Sequence, residues 1–206
     1  MKFADWEPYY TGITEYFGFD RAADEEAGRL LSSLLEQDNL LSLASLVDGN
    51  PVTVCGNAPC LKDEIGKITG VVFAADAAAE VLDKNGIRPD AIFTDLDGAT
   101  DRFIDLNNEG TIVVIHAHGD NMPLLKHWVP RFRGRVVGTT QAAPLPRVYN
   151  FGGFSDGDRA AFAADELGAS TITLAGFDLD DGNVDPMKRG KLVWARKLLA
   201  LIGLKA

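Results

Sequence analysis

Ala91-Ile92-Phe93-Thr94-Asp95-Leu96-Asp97-Gly98 is the stretch from which the rest of the chain is best read. Introduced by Pro89-Asp90, the run Ala91 to Phe93 is short and apolar, the pattern of a buried β-strand. Two aspartates one residue apart stand where that strand ends. In extended backbone such residues face the same side, with Cα atoms about 6–7 Å apart. Carboxylates that close repel each other, and a hard divalent cation such as Mg²⁺ is the usual remedy. Gly98 then lets the backbone turn. Taken alone, Asp-x-Asp is read equally well as an Asp-rich turn capping the next helix. The neighbouring segments favour the site.

The same unit of strand, polar loop and helix recurs along the chain. Val52 to Cys55 leads into Gly56-Asn57-Ala58-Pro59-Cys60 and a helical stretch from Leu61. Val71 to Ala74 leads into Ala75-Asp76-Ala77 and a helix reaching Asn85-Gly86. Thr111 to Ile115 ends in His116-Ala117-His118-Gly119-Asp120-Asn121, and Arg135 to Val137 ends in Gly138-Thr139-Thr140-Gln141. After Pro144 and Pro146 come Val148-Tyr149 and a helix that starts at Ser155 or Asp156 and runs to about Leu167. Thr171 to Ala175 ends in Gly176-Phe177-Asp178, and a last helix runs from Met187 to about Ile202. This alternation predicts an α/β fold, a mostly parallel Rossmann-like sheet with helices on both faces. Ligands of such sheets bind outside the carboxyl ends of the strands. Asp76, Asp95, Asp97, His118, Asp120, Asn121, Gln141 and Asp178 are therefore expected along one rim.

A helical N-terminal segment, residues 1–48, is expected to pack on a catalytic α/β domain of residues 49–206. Asp24-Glu25-Glu26 followed by Leu30, Leu31, Leu34 and Leu35 gives acidic residues early and an apolar stripe at helical spacing. Leu40, Leu41, Leu43, Leu46 and Val47 continue it as core or subunit contact, which is compatible with a homodimer. Trp6, Tyr9, Tyr10, Tyr16, Phe17 and Phe19 are read as packing groups in preference to ligand contacts.

Composition narrows the classes. With 206 residues, 46% hydrophobic and 24% charged, the chain suits one soluble globular domain plus an extension. A net charge of −10 argues against nucleic acid as a partner. No apolar run approaches the roughly 18–20 residues that span a bilayer, so no membrane contact is expected. Met1 to Glu7 lacks the apolar segment of a signal peptide, and a cytoplasmic enzyme is the expectation. Cys55 and Cys60 are too close for a useful disulfide and lack a second Cys/His pair for zinc.

The carboxylates carry the chemistry. Asp76 and the Asp95/Asp97 pair fit one or two Mg²⁺ ions, and phosphoryl transfer needs little beyond such a site and a few cations. Arg159, Lys188, Arg189 and Lys191 are candidate phosphate partners, weighed against ordinary surface charge. Gly56, Asn57 and Ala58 form either a phosphate-contacting loop or a plain strand-to-helix turn, matching neither G-x-G-x-x-G nor the P-loop. His116 and His118, with no third histidine nearby, suit hydrogen bonding better than metal ligation. Asn121, Gln141 and Asp178 suit a heterocycle with an amide-like edge.

Ala74-Ala75-Asp76-Ala77 followed by Pro89 to Asp97 resembles the catalytic domain of thiamine pyrophosphokinases, which read A-D-G and then P-D-x-I-x-G-D-x-D-S. A longer set is similar to the archaeal 6-hydroxymethyl-7,8-dihydropterin pyrophosphokinase family. It comprises His116 to Asn121, Gly138 to Gln141, Asn150 to Arg159 and Leu174 to Asp178, in the family's order from about Val52 to the last helix. The resemblance implies ATP- and Mg²⁺-dependent transfer of diphosphate to the pterin hydroxymethyl group, releasing AMP, in methanopterin or folate synthesis. It implies Asp95 and Asp97 on Mg²⁺ with Asp76 close by. The Gly56 loop and the basic last helix would hold phosphates. Asp120, Asn121, Gln141 and Asp178 would be available to the pterin or the adenine. Ala58 and Cys60 stand where the family's first loop carries its second glycine and its serine, and Ala77 replaces the glycine after the aspartate.

Three other readings share parts of the pattern. Phe93 to Gly98 mimics the first motif of haloacid-dehalogenase-type phosphatases, but that motif normally opens its domain and two strands precede it here. Asp-x-Asp also serves metal-dependent nucleotide-sugar glycosyltransferases, the alternative enzyme. A non-catalytic nucleotide-binding protein is the alternative outside catalysis.

Overall fold

Three helices precede the first strand: α1 (Phe3–Phe17), α2 (Arg21–Leu34) and α3 (Leu40–Val47). The computed structural model describes residues 1–205. α1 stops at Gly18, whose φ of 72° closes the helix in the left-handed region. α2 starts under Asp20, whose carboxylate accepts from the Ala22 N–H at 2.9 Å.

The strands are β1 (Pro51–Cys55), β2 (Val71–Ala75), β3 (Ala91–Thr94), β4 (Ile112–Ala117), β5 (Val136–Thr140), β6 (Val148–Tyr149) and β7 (Thr171–Ala175). They form a seven-stranded sheet in the order β6-β5-β4-β3-β2-β1-β7. Every pairing is parallel. The expected parallel sheet is present, and it explains the texture of the strands. β2, β3 and β4 are buried at every position, so they read as continuous apolar runs and not as alternations.

Stepwise crossovers from β1 to β5 put α4 (Leu61–Glu64), α5 (Ala78–Lys84), α6 (Asp101–Asn108) and α7 (Met122–Trp128) on one face. Leu82, Phe103 and Leu125 pack there on Ala74, Ile92 and Ile115. The step from β6 back to β7 runs the other way, so α8 (Asp156–Glu166) falls on the opposite face, over Val54, Phe73, Phe93 and Val114. α8 is buried continuously from Gly157 to Ala164, sealed by α1 and by α9 (Pro186–Leu201). Alanine at 160, 161, 163 and 164 lets α8 pack closely on its neighbours, with Phe162 the large apolar side chain of the run.

The N-terminal helices straddle the sheet. Trp6, Tyr10 and Ile13 of α1 join the core under α8, whereas Ala27 and Leu31 of α2 join the other core. Their connection, Gly18 to Asp20, therefore crosses the carboxyl rim. Two details differ from the sequence-based expectation. The helix after β1 is a single turn followed by a 3₁₀ turn, Ile65–Lys67. Gly138, Thr139 and Thr140 belong to β5, because β4 extends to Ala117 and its last residues, His116 and Ala117, pair with Thr139 and Thr140. Both cysteines are free; burial, and secondarily Glu64, push the Cys55 thiol up to about 12. Among the described residues no helix is long and apolar enough to cross a membrane.

Candidate active site

The carboxyl ends of the strands open into a cavity of about 990 Å³. At its centre stand the acidic residues that end β2 and β3. Asp76 follows β2 with φ 46°, an unusual conformation for a residue with a side chain. It is held there by its own N–H donating to Phe93 O at 2.8 Å and by the Thr94 hydroxyl donating to Oδ1 at 2.7 Å. Gly98 packs against it so closely that a Cβ would sit 2.1 Å from Asp76 Oδ2. The glycine after Asp-x-Asp is thus a space requirement of Asp76.

Asp95 and Asp97 do not act as a symmetric pair. The Asp97 N–H donates to Asp95 Oδ1 at 3.1 Å, which folds the backbone into a turn and leaves the two carboxyls close but in different surroundings. Asp97 is exposed, whereas Asp95 stays on the cavity floor with His118 Nε2 3.4 Å from its Oδ2. The carboxylate brought in beside Asp95 is Asp156, the first residue of α8. Asp76, Asp95 and Asp156 each offer an oxygen, all within 4.8 Å of one another. Asp97, expected in the metal set, is not one of these three, and Asp156, expected only as a helix start, is. The trio named by the geometry is 76, 95 and 156.

The electrostatics of this group are unfavourable without a cation. At 4.8 Å each ionised pair repels by about 3–4 kcal/mol at an effective dielectric of about 20. Burial, and then its hydrogen bonds working the other way and the charge of Asp95, leave Asp76 above the usual carboxylate range. Burial and the neighbouring carboxylates hold Asp156 well above it, against the pull of Arg159. Burial and then the Asp95 charge push Asp97 to about 6. Burial opposes ionisation of Asp95 too, but hydrogen bonds from His118 and the Asp97 N–H hold its carboxyl well below the usual range. Three acids resist ionisation around one that does not.

Other expected site residues have structural partners. Arg159 is 4% exposed; it pairs with Asp156 at 3.1 Å and donates to Phe154 O at 2.6 Å, so it fixes the third carboxylate. Asn121 donates to Asp95 O and His116 O, both at 2.7 Å, and accepts from the His118 N–H at 3.1 Å, tying β3 to β4. Gln141 donates to Asp24 Oδ2 at 2.7 Å. Asp24, buried, also accepts from Tyr10 at 2.7 Å and from the Gly119 N–H at 2.8 Å, and so anchors both N-terminal helices to the rim. Nothing local in the sequence marks Asp24 as anything but a first-turn helix acid.

The loop after β1 lines the cavity through Gly56, Asn57 and Ala58. Gly56 and Ala58 already donate their N–H groups to Ala175 O and Gly176 O, at 2.8 and 3.0 Å. A Cβ on Gly56 would meet Gly176 O at 2.6 Å, so this glycine serves the crossing of two loops. Lys188 and Lys191 line the cavity from one side of α9, and Asp120 and Asp178 lie exposed at its edge. Arg189 turns away to donate to Gly182 O at 2.7 Å. Phe19, expected only to pack, lines the cavity together with Phe154.

The family described as 6-hydroxymethylpterin diphosphokinase MptE-like matches residues 29–184. A Methanothermobacter thermautotrophicus protein named 6-hydroxymethyl-7,8-dihydropterin pyrophosphokinase is 37% identical, over 97% of this chain and 94% of its own. A Pyrococcus furiosus protein of the same name is 42% identical, over 86% of this chain and 78% of its own. Among solved structures, a MAf glycosyltransferase from Magnetospirillum magneticum shares 18% identity at a TM-score of 0.43, covering 78% of this chain and 29% of that one. The matched span runs from α2 to the loop before α9 and includes every carboxylate of the trio, and the chain belongs to the 6-hydroxymethylpterin diphosphokinase MptE-like family.

Proposed function

We propose that the chain transfers diphosphate from ATP to the hydroxymethyl group of 6-hydroxymethyl-7,8-dihydropterin and releases AMP. The observation that carries this reading is the trio Asp76, Asp95 and Asp156 at the centre of a cavity open on both flanks. In the reaction the hydroxymethyl oxygen attacks the β-phosphorus and forms the new O–P bond. The bond from that phosphorus to the oxygen bridging it to the α-phosphorus breaks. AMP leaves with the bridging oxygen, and the hydroxyl proton is lost.

The trio fits Mg²⁺. Three carboxylate oxygens within 4.8 Å of one another are the hard, anionic donor set such a cation takes, and Asp76, Asp95 and Asp156 would hold it. When bound there, the ion neutralises charge on the phosphate oxygens as the bonds exchange. The protein's own groups do the positioning. His118 and the Asp97 N–H keep Asp95 ionised, Arg159 holds Asp156 at the floor, and Thr94 fixes Asp76. Lys188 and Lys191 supply mobile positive charge for the polyphosphate, a task the largely bonded Gly56 loop is less suited to.

The test is AMP formation from ATP and Mg²⁺, with and without 6-hydroxymethyl-7,8-dihydropterin. Pterin-dependent AMP with no ADP supports diphosphate transfer. ADP or phosphate released regardless of pterin refutes it.

A further inference from the structure

The rim of the sheet has two chemically different flanks around the acidic trio. On one side stand the ends of β4 and β5, with His116 and Gln141, facing Phe19 and Phe154. On the other stand the ends of β1 and β7, with the Gly56 loop, and above it the lysines of α9.

His116 is the group on the first flank without a partner. It is 2% exposed, its ring forms part of the cavity wall, and its Nε2 has no hydrogen-bond partner among the described residues. Its protonation is set from behind. The Thr139 hydroxyl donates its single hydrogen to Ile115 O at 3.1 Å, so it presents a lone pair to His116 Nδ1 at 3.2 Å. With that hydroxyl hydrogen on Ile115 O, Nδ1 carries the proton and Nε2 is a bare acceptor. Burial first, and then Arg159, hold the ring in its neutral form. Leaving a buried acceptor unpaired is costly, and a ligand N–H would recover that cost.

We propose that the flank at β4 and β5 is the pterin subsite, with His116 Nε2 as a fixed acceptor for a ring N–H, and that ATP lies along β1 and β7. The assignment rests on the diphosphokinase reading. A reduced pterin presents N–H donors along its edge and a flat face, and this flank offers a fixed acceptor and the half-buried ring of Phe19, which packs 6.2 Å from the buried Phe154. On the opposite flank Phe177, half-buried, packs against Gly56 and Gly157, whose added Cβ atoms would meet its ring at 3.1 and 2.9 Å. That side offers lysines, which suit phosphates. β4 adjoins β3, so a pterin there is about one strand spacing, some 5 Å, from Asp95, while β1 and β7 stand about 10 and 14 Å from β3 and leave room for an extended nucleotide. The hydroxymethyl group and the β-phosphate then meet over the trio.

The experiment titrates two ligands separately: 6-hydroxymethyl-7,8-dihydropterin, followed by its fluorescence, and a non-hydrolysable ATP analogue with Mg²⁺, followed by calorimetry. His116→Leu is expected to weaken pterin binding at least tenfold and leave the ATP analogue within twofold. Thr139→Val, nearly isosteric, carries the same expectation and serves if His116→Leu does not fold; Thr139→Ser, which keeps the hydroxyl, restores pterin binding. Lys191→Met is expected to weaken the ATP analogue only. The proposal is overturned if His116→Leu and Thr139→Val spare the pterin, or weaken the nucleotide instead. A wild-type protein that neither binds nor converts the pterin overturns the diphosphokinase reading itself, which is a different result.

Discussion

Replacing Asp156 by asparagine separates the stability and the function of the acidic site. The carboxyl of Asp156 is held well above its usual range even with Arg159 3.1 Å away, so the folded protein disfavours its charge. A carboxyl whose folded pKa is raised lends stability at low pH and loses it as pH rises through the folded value. At neutral pH without a divalent cation, Asp156→Asn is therefore expected to leave stability unchanged or to raise it. Asparagine still accepts from Arg159, and removing the charge relieves two repulsions of about 3–4 kcal/mol each while losing about 5 kcal/mol of attraction to Arg159. With all three carboxyls ionised the net gain would be about 2 kcal/mol, some 4–8 °C in melting temperature for a chain of this size, and because Asp76 and Asp156 resist ionisation that is its upper limit. Lowering the pH toward 5 stabilises the wild type relative to the variant and closes the gap. With Mg²⁺ the order reverses, because the variant has lost one of three anionic ligands. Its Mg²⁺ requirement in AMP formation is expected to rise by at least tenfold, with turnover down by about two orders of magnitude. Melting curves with and without Mg²⁺, over this pH range, and a Mg²⁺ titration of activity check both halves. A variant that melts several degrees below the wild type without Mg²⁺, or keeps the wild-type Mg²⁺ dependence, refutes the reasoning.

Three further outcomes follow from the same geometry. Asp95→Asn is expected to cut turnover by at least a hundredfold and Asp97→Asn by about tenfold, since Asp97 stands outside the trio; equal losses in kcat would place Asp97 on the ion. Gly98→Ala forces a methyl group against Asp76 Oδ2, and is expected to lower activity about a hundredfold while circular dichroism shows the fold intact. Asn121→Leu leaves two carbonyls at the ends of β3 and β4 without their donors, and is expected to cost about 2–4 kcal/mol in urea denaturation.

What was legible in the sequence was legible for local reasons. The apolar run before Asp95 and the polar residues after each strand report a parallel sheet and its rim, because a strand buried on both faces must be apolar throughout. Asp156 was hidden for the complementary reason. Ser155 and Asp158 form a capping box, so the segment reads as an ordinary helix start. Only the return of the chain across the sheet, from β6 to β7, sets that start over the ends of β2 and β3. Arg159 and Asn121 each look like a free polar group in the sequence; each lines the cavity and is also bonded to a neighbour that no local pattern shows. Asp24 depends on three partners distant in sequence or in fold.

The most direct test of the account is the phosphorus spectrum of the pterin product formed from ATP in the presence of Mg²⁺. Diphosphate transfer predicts two coupled phosphorus signals on the pterin, appearing in step with one AMP for each product molecule. A single uncoupled phosphate on the pterin, or phosphorus signals confined to ADP and free phosphate, would contradict it.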